Sequence, residues 1–175
     1  MPNWQNTCGK AIIPVEREWL RRMAAEAVWD FGDPAIVNIG IFRGASMYCL
    51  RAGAAKARLI GIDTVYPQGH DLDPEMRAEI IVGDSGKLWS DFDGPVHLLF
   101  VDGDHTYDGV MADIAGWAPK VVPGGVIAFH DFETEPAVAE KHAGIKRAVL
   151  EWEQEAHWHL LLPVGSLRAY RRPMK

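Results

Sequence analysis

The residues best suited to acid–base or metal chemistry lie in two short polar segments. The first runs from Asp102 to His105, and the second is His130 with Asp131 further along the chain. Each follows apolar residues typical of a buried strand, so the two segments are expected to meet where adjacent strands end. Oxygen and nitrogen donors that converge at one point suit a hard divalent ion such as Mg²⁺, or Mn²⁺ where a histidine takes part.

These segments predict a divalent-metal site with a general base beside it. The predicted metal ligands are Asp102, His130 and Asp131, and the predicted base is His105 or Asp104. An alternative fits the same residues, namely a polar cleft without metal whose carboxylates accept hydrogen bonds from nearby amides. The remaining histidines are predicted to be core or surface residues: His70, His97, His142, His157 and His159.

A turn that contains two glycines earlier in the chain predicts a ligand-binding loop. Gly40, Gly44 and Ser46 form the pattern G-x-x-x-G-x-S directly after an apolar run. Glycines there let the backbone pass close to a ligand, and the amides of a following helix N-terminus can point at it. A tight strand-to-helix turn with no ligand is the alternative, because glycine serves turns in general.

Two further acidic residues end apolar runs at positions typical of nucleotide binding. Asp63 follows Gly40 at close to the roughly 20-residue offset at which such folds place an acid on the ribose hydroxyls. Asp84 is suited to accept a hydrogen bond from an adenine amino group, while Ser85 is predicted to cap the next helix. The simpler alternatives are a solvated turn for Asp63 and capping alone for the Asp84–Ser85 pair.

An alternation of strands and helices must position these residues. Apolar runs predict strands at AIVNIG, ARLIGID, AEIIVGD, VHLLFVDGD and, after a Pro-Gly-Gly turn, VVPGGVIAFHD. Amphipathic stripes predict helices over 14–31, over GASMYCLRAGAA, along Tyr107–Ile114 and along Val138–Trp152. The segments HWHLLLPV and SLRAYRR flank Gly165 and predict an antiparallel hairpin.

Such alternation predicts an α/β fold of three layers, in which helices cover both faces of a mostly parallel sheet. The expected order is Rossmann-like and doubly wound, with seven strands and an antiparallel C-terminal hairpin. The first helix is predicted to turn Glu16 away from the core and to bury the face formed by Val15, Trp19, Leu20, Met23, Ala27 and Val28. The length of 175 residues predicts a single domain over 1–175, with 1–14 as an N-terminal extension.

The composition excludes several classes of protein. With 48% hydrophobic and 24% charged residues, the chain is typical of globular rather than disordered proteins. The net charge of −6 disfavours nucleic-acid and anionic-membrane partners, and no segment approaches the roughly 20 apolar residues of a membrane span. Two cysteines without a disulfide framework, and a start unlike a signal peptide, predict a reducing, cytoplasmic location.

Together, VNIGIFRGAS, LIGID, VGDS, LLFVDGDHTYDGV and VPGGVIAFHDF resemble the successive motifs of class I S-adenosylmethionine-dependent methyltransferases. The resemblance is nearest to the bacterial subfamily called methyltransferase family 24, and it extends to small metal-dependent O-methyltransferases. It runs from the first helix to the fifth strand, and the terminal hairpin matches the family's antiparallel edge. The resemblance implies methyl transfer from S-adenosylmethionine to a small-molecule acceptor, by O-methylation assisted by Mg²⁺ or Mn²⁺.

The resemblance also implies which residues bind the cofactor and the metal. Gly40, Gly44 and Ser46 would line its methionine and ribose part, Asp63 would hold the ribose diol, and Asp84 with Ser85 would approach adenine. The full implied cofactor set is Asn38, Gly40, Phe42, Arg43, Gly44, Ser46, Asp63, Asp84, Ser85 and Asp102. The family's metal positions fall on Asp102, His130 and Asp131.

Three positions depart from the family pattern. Asn38 stands where an acid usually precedes the first glycine, His130 replaces an acidic or amide metal ligand, and His105 replaces the lysine base of catechol-type enzymes. The acceptor is expected to be bordered by the first 14 residues, the 66–74 loop, the 132–142 segment, or a second subunit of a homodimer.

Two other functions compete with catalytic methyl transfer. One is a catalytically degenerate S-adenosylmethionine-binding protein with an assembly or regulatory role, which Asn38 and the short chain favour slightly. The carboxylates at the strand ends argue against it, because a scaffold does not need them around a cleft. The other is a nicotinamide-dependent oxidoreductase, which the absence of G-x-G-x-x-G and the terminal hairpin disfavour.

Overall fold

The computed structural model describes residues 12–65, 72, 74–133 and 139–174. Most of the predicted N-terminal extension lies outside these residues, as do Cys8, His70 and Val138. The same holds for much of the two internal segments predicted to border the acceptor. None of the helices in the described part of the chain is long and apolar enough to cross a membrane.

Strands and helices alternate along the described chain. The strands are β1 (Ala35–Ile39), β2 (Arg58–Asp63), β3 (Glu79–Val82), β4 (Val96–Val101), β5 (Val121–Phe129), β6 (His159–Leu160) and β7 (Arg168–Arg171). The helices are α1 (Pro14–Phe31), α2 (Ala45–Gly53), α3 (Ser85–Leu88), α4 (Tyr107–Trp117) and α5 (Ala139–Ala156). Short 3-10 turns cover Pro74–Met76 and Ala118–Lys120.

All seven strands form one sheet in the order β3-β2-β1-β4-β5-β7-β6. Strands β1 to β5 run parallel to one another, whereas β7 pairs antiparallel with both β5 and β6. The predicted α/β, Rossmann-like fold with its antiparallel hairpin is therefore confirmed. The strand order reverses between β1 and β4, and ligands of such sheets bind outside the carboxyl ends of the strands at that switch point.

Alternate residues of each central strand face opposite sides of the sheet, and both sides are buried. Val37 and Leu99 belong to the core that packs against α4 and α5, while Ile36 and Leu98 belong to the core against α1 and α2. Burial on both faces explains why these strands are apolar throughout. The two cores hold the carboxyl ends of β1 and β4 side by side.

The fifth strand begins earlier than predicted. The Pro-Gly-Gly segment lies inside β5 rather than before it, and the pairing register with β4 shifts between Val96 and Leu98. Gly124 adopts φ 81°, and its amide donates to the Arg172 carbonyl at 2.9 Å. A glycine can take this conformation at low cost, so the strand continues through an irregularity that the sequence suggested was a turn.

Helix α1 buries a face that overlaps the predicted one but is rotated toward Glu16. Leu20 and Ala27 are buried as predicted, and Trp19, Met23 and Val28 are partly buried against the core. Its buried residues are Glu16, Leu20, Ala24 and Ala27, whereas Val15 is 52% exposed. The predicted exposure of Glu16 is therefore wrong: its side chain is 2% exposed. The reason is a set of hydrogen bonds from distant residues, which allows a carboxylate to occupy the inner face of the helix.

Candidate functional site

The glycine turn after β1 lies against the end of β4. Gly40 has φ 83°, and a Cβ added there would overlap the carbonyl group of Asp102. Gly44, with φ 82°, precedes α2, and a Cβ there would lie 2.5 Å from Leu72 Cδ2. Both positions thus favour glycine for their backbone conformation, and Gly40 also requires it for space because its contact is with backbone atoms. The turn passes directly beside the polar end of β4.

Asp63, at the end of β2, stabilises this turn through hydrogen bonds. Its Oδ2 accepts hydrogen bonds from the amides of Ile41 at 2.8 Å and Phe42 at 3.0 Å. Its Oδ1 accepts only a longer bond, from the Val65 amide at 3.3 Å, within the described residues. One carboxylate oxygen therefore shapes the loop, and the other remains available to a ligand.

Asn38 and Ser46 are buried beside the turn. The Asn38 amide nitrogen donates to the Gly40 carbonyl at 2.7 Å, whereas its Oδ1 has no hydrogen-bond partner among the residues described. A buried acceptor without a donor is costly, and it suits a site whose donor comes from a bound molecule. Ser46 is 2% exposed in the first turn of α2, while Phe42 is 68% exposed with Arg43 over its ring.

At the end of β3, Asp84 rather than Ser85 caps the next helix. The Asp84 carboxylate accepts from the Gly86 amide at 3.0 Å and pairs with Lys87 Nζ at 2.8 Å, which lowers the pKa of Asp84. The predicted cap at Ser85 is therefore wrong by one residue, because the extended backbone at Asp84 points its side chain at the helix amides. Neither residue joins the groups after β4 and β5 described next.

Six side chains form what we call the polar cluster at the ends of β4 and β5: Glu16, Asp102, His105, His130, Asp131 and His142. His130 Nδ1 lies 3.1 Å from Asp102 Oδ1 and 3.5 Å from Asp131 Oδ1. His105 Nε2 lies 3.7 Å from both Asp102 Oδ1 and Asp131 Oδ2. The predicted convergence of the two polar segments is thus present, and Asp131 stands at its centre with φ 55°, a strained conformation for a non-glycine residue.

Charge inside the polar cluster is concentrated around His130, which is 5% exposed. Burial alone would lower the pKa of His130, but the neighbouring carboxylates of Asp102, Asp131 and Glu16 raise it to about 12. Burial would raise the pKa of Asp131, yet His130 outweighs it and the pKa is lowered. Asp102 and Asp131 at Nδ1 and Glu16 at Nε2 therefore stabilise the positively charged imidazole of His130.

Asp104 does not join the polar cluster. It is exposed, and its Oδ1 accepts from the Thr106 amide at 2.8 Å, where it forms the turn that starts α4. Of the two residues predicted as base, the structure therefore brings only His105 to the other predicted site residues. His97, by contrast, is structural as predicted, because its Nδ1 accepts from the Ala35 amide at 2.9 Å.

Sequence reasoning missed two members of the polar cluster, both on helices. His142, predicted to be a core or surface residue, places Nε2 3.9 Å from Asp131 Oδ2 and its ring 4.7 Å from that of His105. Glu16 places Oε2 3.3 Å from His130 Nε2. For Glu16 a signal existed, since the spacing 16, 20, 24 and 27 follows one helical face and puts the acid in line with Leu20.

Glu16 is held by three further donors. Oε1 accepts from the Ser166 amide at 2.7 Å and its hydroxyl at 2.9 Å, and Oε2 accepts from the Ile13 amide at 3.0 Å. Burial by itself raises the pKa of Glu16, but His130 and the two backbone amides outweigh it, so the pKa is lowered. The ionised carboxylate is therefore the form that the fold stabilises.

We expect the Glu16→Gln variant to lose about 1–2 kcal/mol of unfolding free energy at pH 7, because charge-assisted hydrogen bonds become neutral ones. The pKa of Glu16 is lower in the folded protein than its ordinary value of 4.5. The extra stability of wild type over Glu16→Gln is therefore fully present above pH 4.5 and is lost as the pH falls through the folded-state pKa. Urea unfolding at pH 7 and at acid pH measures both the loss of unfolding free energy and its dependence on pH. Glu18→Gln is the control, because the Glu18 side chain is 52% exposed and its ion pair with Arg21 contributes little to stability. Equal losses of unfolding free energy in both variants would contradict the stabilising role of the buried Glu16 carboxylate.

Comparison with known proteins gives a match at the level of a family. A model described as a methyltransferase domain, of family 24, matches residues 37–132, which is more than half of the chain. Among curated proteins, 41 residues, or 23% of this chain, are 51% identical to the uncharacterised protein y4gI of Sinorhizobium fredii. That segment covers 4% of the relative, so the chain spans only a small part of its length.

Several solved structures share the fold at low identity. The O-methyltransferase NovP has a TM-score of 0.69 at 17% identity, covering 90% of this chain and 80% of that one. The Bacillus cereus O-methyltransferase in complex with SAH has a TM-score of 0.68 at 18% identity, and the match covers 97% of this chain and 86% of that one. MycE of the mycinamycin pathway, in complex with Mg, SAH and mycinamycin VI, has a TM-score of 0.63 at 17% identity. The match covers 85% of this chain and 48% of MycE.

Proposed function

This chain belongs to the methyltransferase domain family that its residues 37–132 match, and we propose that it transfers a methyl group from S-adenosylmethionine to a hydroxyl of a small-molecule acceptor. The observation that carries the proposal is the contact between the glycine turn and Asp102. Because Gly40 packs against the Asp102 backbone, a donor bound over the turn would lie next to the polar cluster. Methyl transfer needs this adjacency of a cofactor loop and acid–base groups.

The residues around the turn fit the cofactor. The free Oδ1 of Asn38 is a buried acceptor suited to the donor's ammonium group, and Asp63 Oδ1 is suited to its ribose hydroxyls. Gly40 and Gly44 have no side chain, so a ligand can lie directly against the backbone of the turn. The bound cofactor supplies an activated methyl group on a sulfonium sulfur, so the protein has mainly to align the acceptor and remove its proton.

His105 is the residue we assign to proton removal. Its Nε2 has no hydrogen-bond partner among the described residues. That atom is closed to solvent, but 24% of the side chain is exposed, so the acceptor would approach along the exposed edge of the ring and displace its neighbours to reach Nε2. As the acceptor oxygen bonds to the methyl carbon and the carbon–sulfur bond breaks, the hydroxyl proton would pass to Nε2. Asp102 and Asp131, both 3.7 Å from that nitrogen, would stabilise the resulting imidazolium.

A divalent ion fits the other side of Asp131. Adjacent ligands of an octahedral Mg²⁺ lie about 3 Å apart, and the distances from His130 Nδ1 to Asp102 Oδ1 and Asp131 Oδ1 are 3.1 and 3.5 Å. His130 Nδ1 has no well-formed hydrogen bond, while Nε2 faces Glu16, as is usual for a metal-bound histidine. We therefore propose Asp102, His130 and Asp131 as ligands of Mg²⁺ or Mn²⁺, which would lower the pKa of a bound acceptor hydroxyl.

Calorimetric titration of the full chain tests the cofactor assignment. We expect S-adenosylmethionine and S-adenosylhomocysteine to bind and NAD to give no heat, because the turn lacks the dinucleotide glycine pattern. Addition of EDTA should leave the affinity for S-adenosylhomocysteine nearly unchanged, since the proposed metal ligands lie beyond the glycine turn. Binding of NAD alone, or of neither cofactor by a folded protein, would overturn the proposed function.

A further inference from the structure

Two histidines and one carboxylate oxygen on the outer side of the polar cluster form a second set of converging donors. His105 Nε2 and His142 Nε2 lie 3.7 and 3.9 Å from the same atom, Asp131 Oδ2. The three ligand atoms lie within 4.8 Å of one another. The opposite oxygen of Asp131, Oδ1, faces His130, so the two sets share a residue but not a donor atom.

Packing holds these donors in place. A Cβ added at Gly144 would lie 2.5 Å from both the His105 carbonyl oxygen and the Tyr107 amide nitrogen, so α5 packs backbone to backbone on the loop after β4. This contact sets His142 edge-on to His105, with an angle of 78° between the rings. A site held by helix packing is more precise than one carried by exposed loops.

One of the two proposed ligand nitrogens has no other partner. His105 Nε2 is inaccessible to solvent and lacks a hydrogen-bond partner among the residues described. The His142 side chain is 10% exposed, and its Nε2 faces Asp131 Oδ2, while its other ring nitrogen, Nδ1, is also buried without a partner among those residues. Buried polar atoms without partners are rare in native proteins and point to an absent ligand. Two imidazoles with one carboxylate are the donors of catalytic zinc sites and other transition-metal sites, whereas Mg²⁺ prefers oxygen.

The spacing also suits such an ion. Donors bound tetrahedrally at 2.0–2.2 Å lie about 3.3–3.6 Å apart, so the observed distances to Asp131 Oδ2 would contract by only a few tenths of an ångström. We propose that His105, His142 and Asp131 bind a transition-metal cation of the Zn²⁺ or Co²⁺ class, at a site that shares Asp131, but no donor atom, with the one proposed for Mg²⁺. Three protein ligands leave a fourth position for water or substrate.

Occupancy of this site has a consequence for catalysis, which, unlike binding itself, rests on the proposed function. An ion on His105 Nε2 uses the lone pair that would otherwise accept the acceptor's proton. Zn²⁺ is therefore expected to slow methyl transfer once an acceptor is identified, and its removal by a chelator to restore the rate.

Titration of the full chain with Co²⁺, followed by visible absorption and by competition with Zn²⁺, tests the site. Wild type should show the intense bands of low-coordinate Co²⁺, and His142→Ala should bind at least about tenfold more weakly, because even an outer partner of a metal ligand is worth 10–100-fold in affinity. His142→Gln, closer in size, guards against an effect of misfolding. His159→Ala is the matched control, since His159 is exposed on β6, and its Co²⁺ affinity should equal that of wild type.

Asp102→Asn separates the two sites, because it changes a proposed Mg²⁺ ligand but none of the three proposed Co²⁺ ligands, and Asp102 is only a neighbour of His105 Nε2, at 3.7 Å. It should keep the Co²⁺ bands. Wild-type affinity in both His142 variants would overturn the inference, as would a loss in Asp102→Asn equal to that in His142→Ala. Failure of S-adenosylhomocysteine to bind, with Co²⁺ binding as expected, would instead overturn the proposed function alone.

Discussion

Replacing Asp63 by alanine is expected to weaken the binding of S-adenosylhomocysteine by roughly 10- to 150-fold, the usual cost of removing a charged hydrogen-bond acceptor. The change acts in two ways. Loss of Oδ2 releases the amides of Ile41 and Phe42, which it holds at 2.8 and 3.0 Å, and so loosens the turn. Loss of Oδ1 removes the proposed acceptor for the ribose hydroxyls.

Calorimetry on wild type, Asp63→Ala and Asp63→Asn measures this effect. The asparagine variant keeps one oxygen for the loop amides but loses the charge, so its affinity should lie between the other two. Urea unfolding must show that each variant is folded under the conditions of the titration. An unchanged dissociation constant in folded Asp63→Ala would remove Asp63 from the cofactor site.

The Gly40→Ala substitution is expected to cost about 2–5 kcal/mol of unfolding free energy, which adds the cost of overpacking to that of a left-handed backbone. The added Cβ would overlap the Asp102 carbonyl group, and a backbone atom cannot move aside as a flexible side chain can. The substitution also pushes β1 and β4 apart where the cofactor turn meets the polar cluster. Cofactor affinity should therefore fall together with stability.

Gly32→Ala is the matched control for Gly40→Ala. Gly32 has φ 77°, close to the 83° of Gly40, and with ψ −75° it forms a γ-turn, but a Cβ there would meet no atom within 4 Å. Its expected cost is about 1–3 kcal/mol, from backbone conformation alone. Urea unfolding of both variants separates the free-energy cost of the backbone conformation from that of the steric contact of the added Cβ. If the two variants lose the same free energy, the close approach of Gly40 to Asp102 is not what stabilises this end of the sheet.

The fold was largely predictable because its strands are buried on both faces and therefore apolar throughout. AIVNIG and VHLLFVDGD correspond to β1 and β4, and the hairpin around Gly165 corresponds to β6 and β7. The misplaced start of β5 has a physical cause. Glycine and proline end most strands, and the partner that lets β5 continue through Pro-Gly-Gly, the chain after β7, is distant in sequence.

The part of the site that strand ends supply was also predictable, because carboxyl ends of neighbouring parallel strands must meet. Asp102, His105, His130 and Asp131 do come together. The part supplied by helices was not. Which face a helix buries depends on its packing angle and on remote partners, so a buried acid such as Glu16 and a cleft histidine such as His142 look like ordinary polar positions in sequence.

The hydrogen bonds between Glu16 and Ser166 join positions 150 residues apart, and this separation bears on how the protein folds. Contacts so distant in the chain form late, because the loop that they close is long. Until Ser166 and the strand after it dock on β5, Glu16 lacks two of its donors, and its burial beneath α1 is unfavourable. Helix α1, which precedes every strand of the described chain, is therefore expected to be among the last elements to dock, and its apolar face needs protection from aggregation until then.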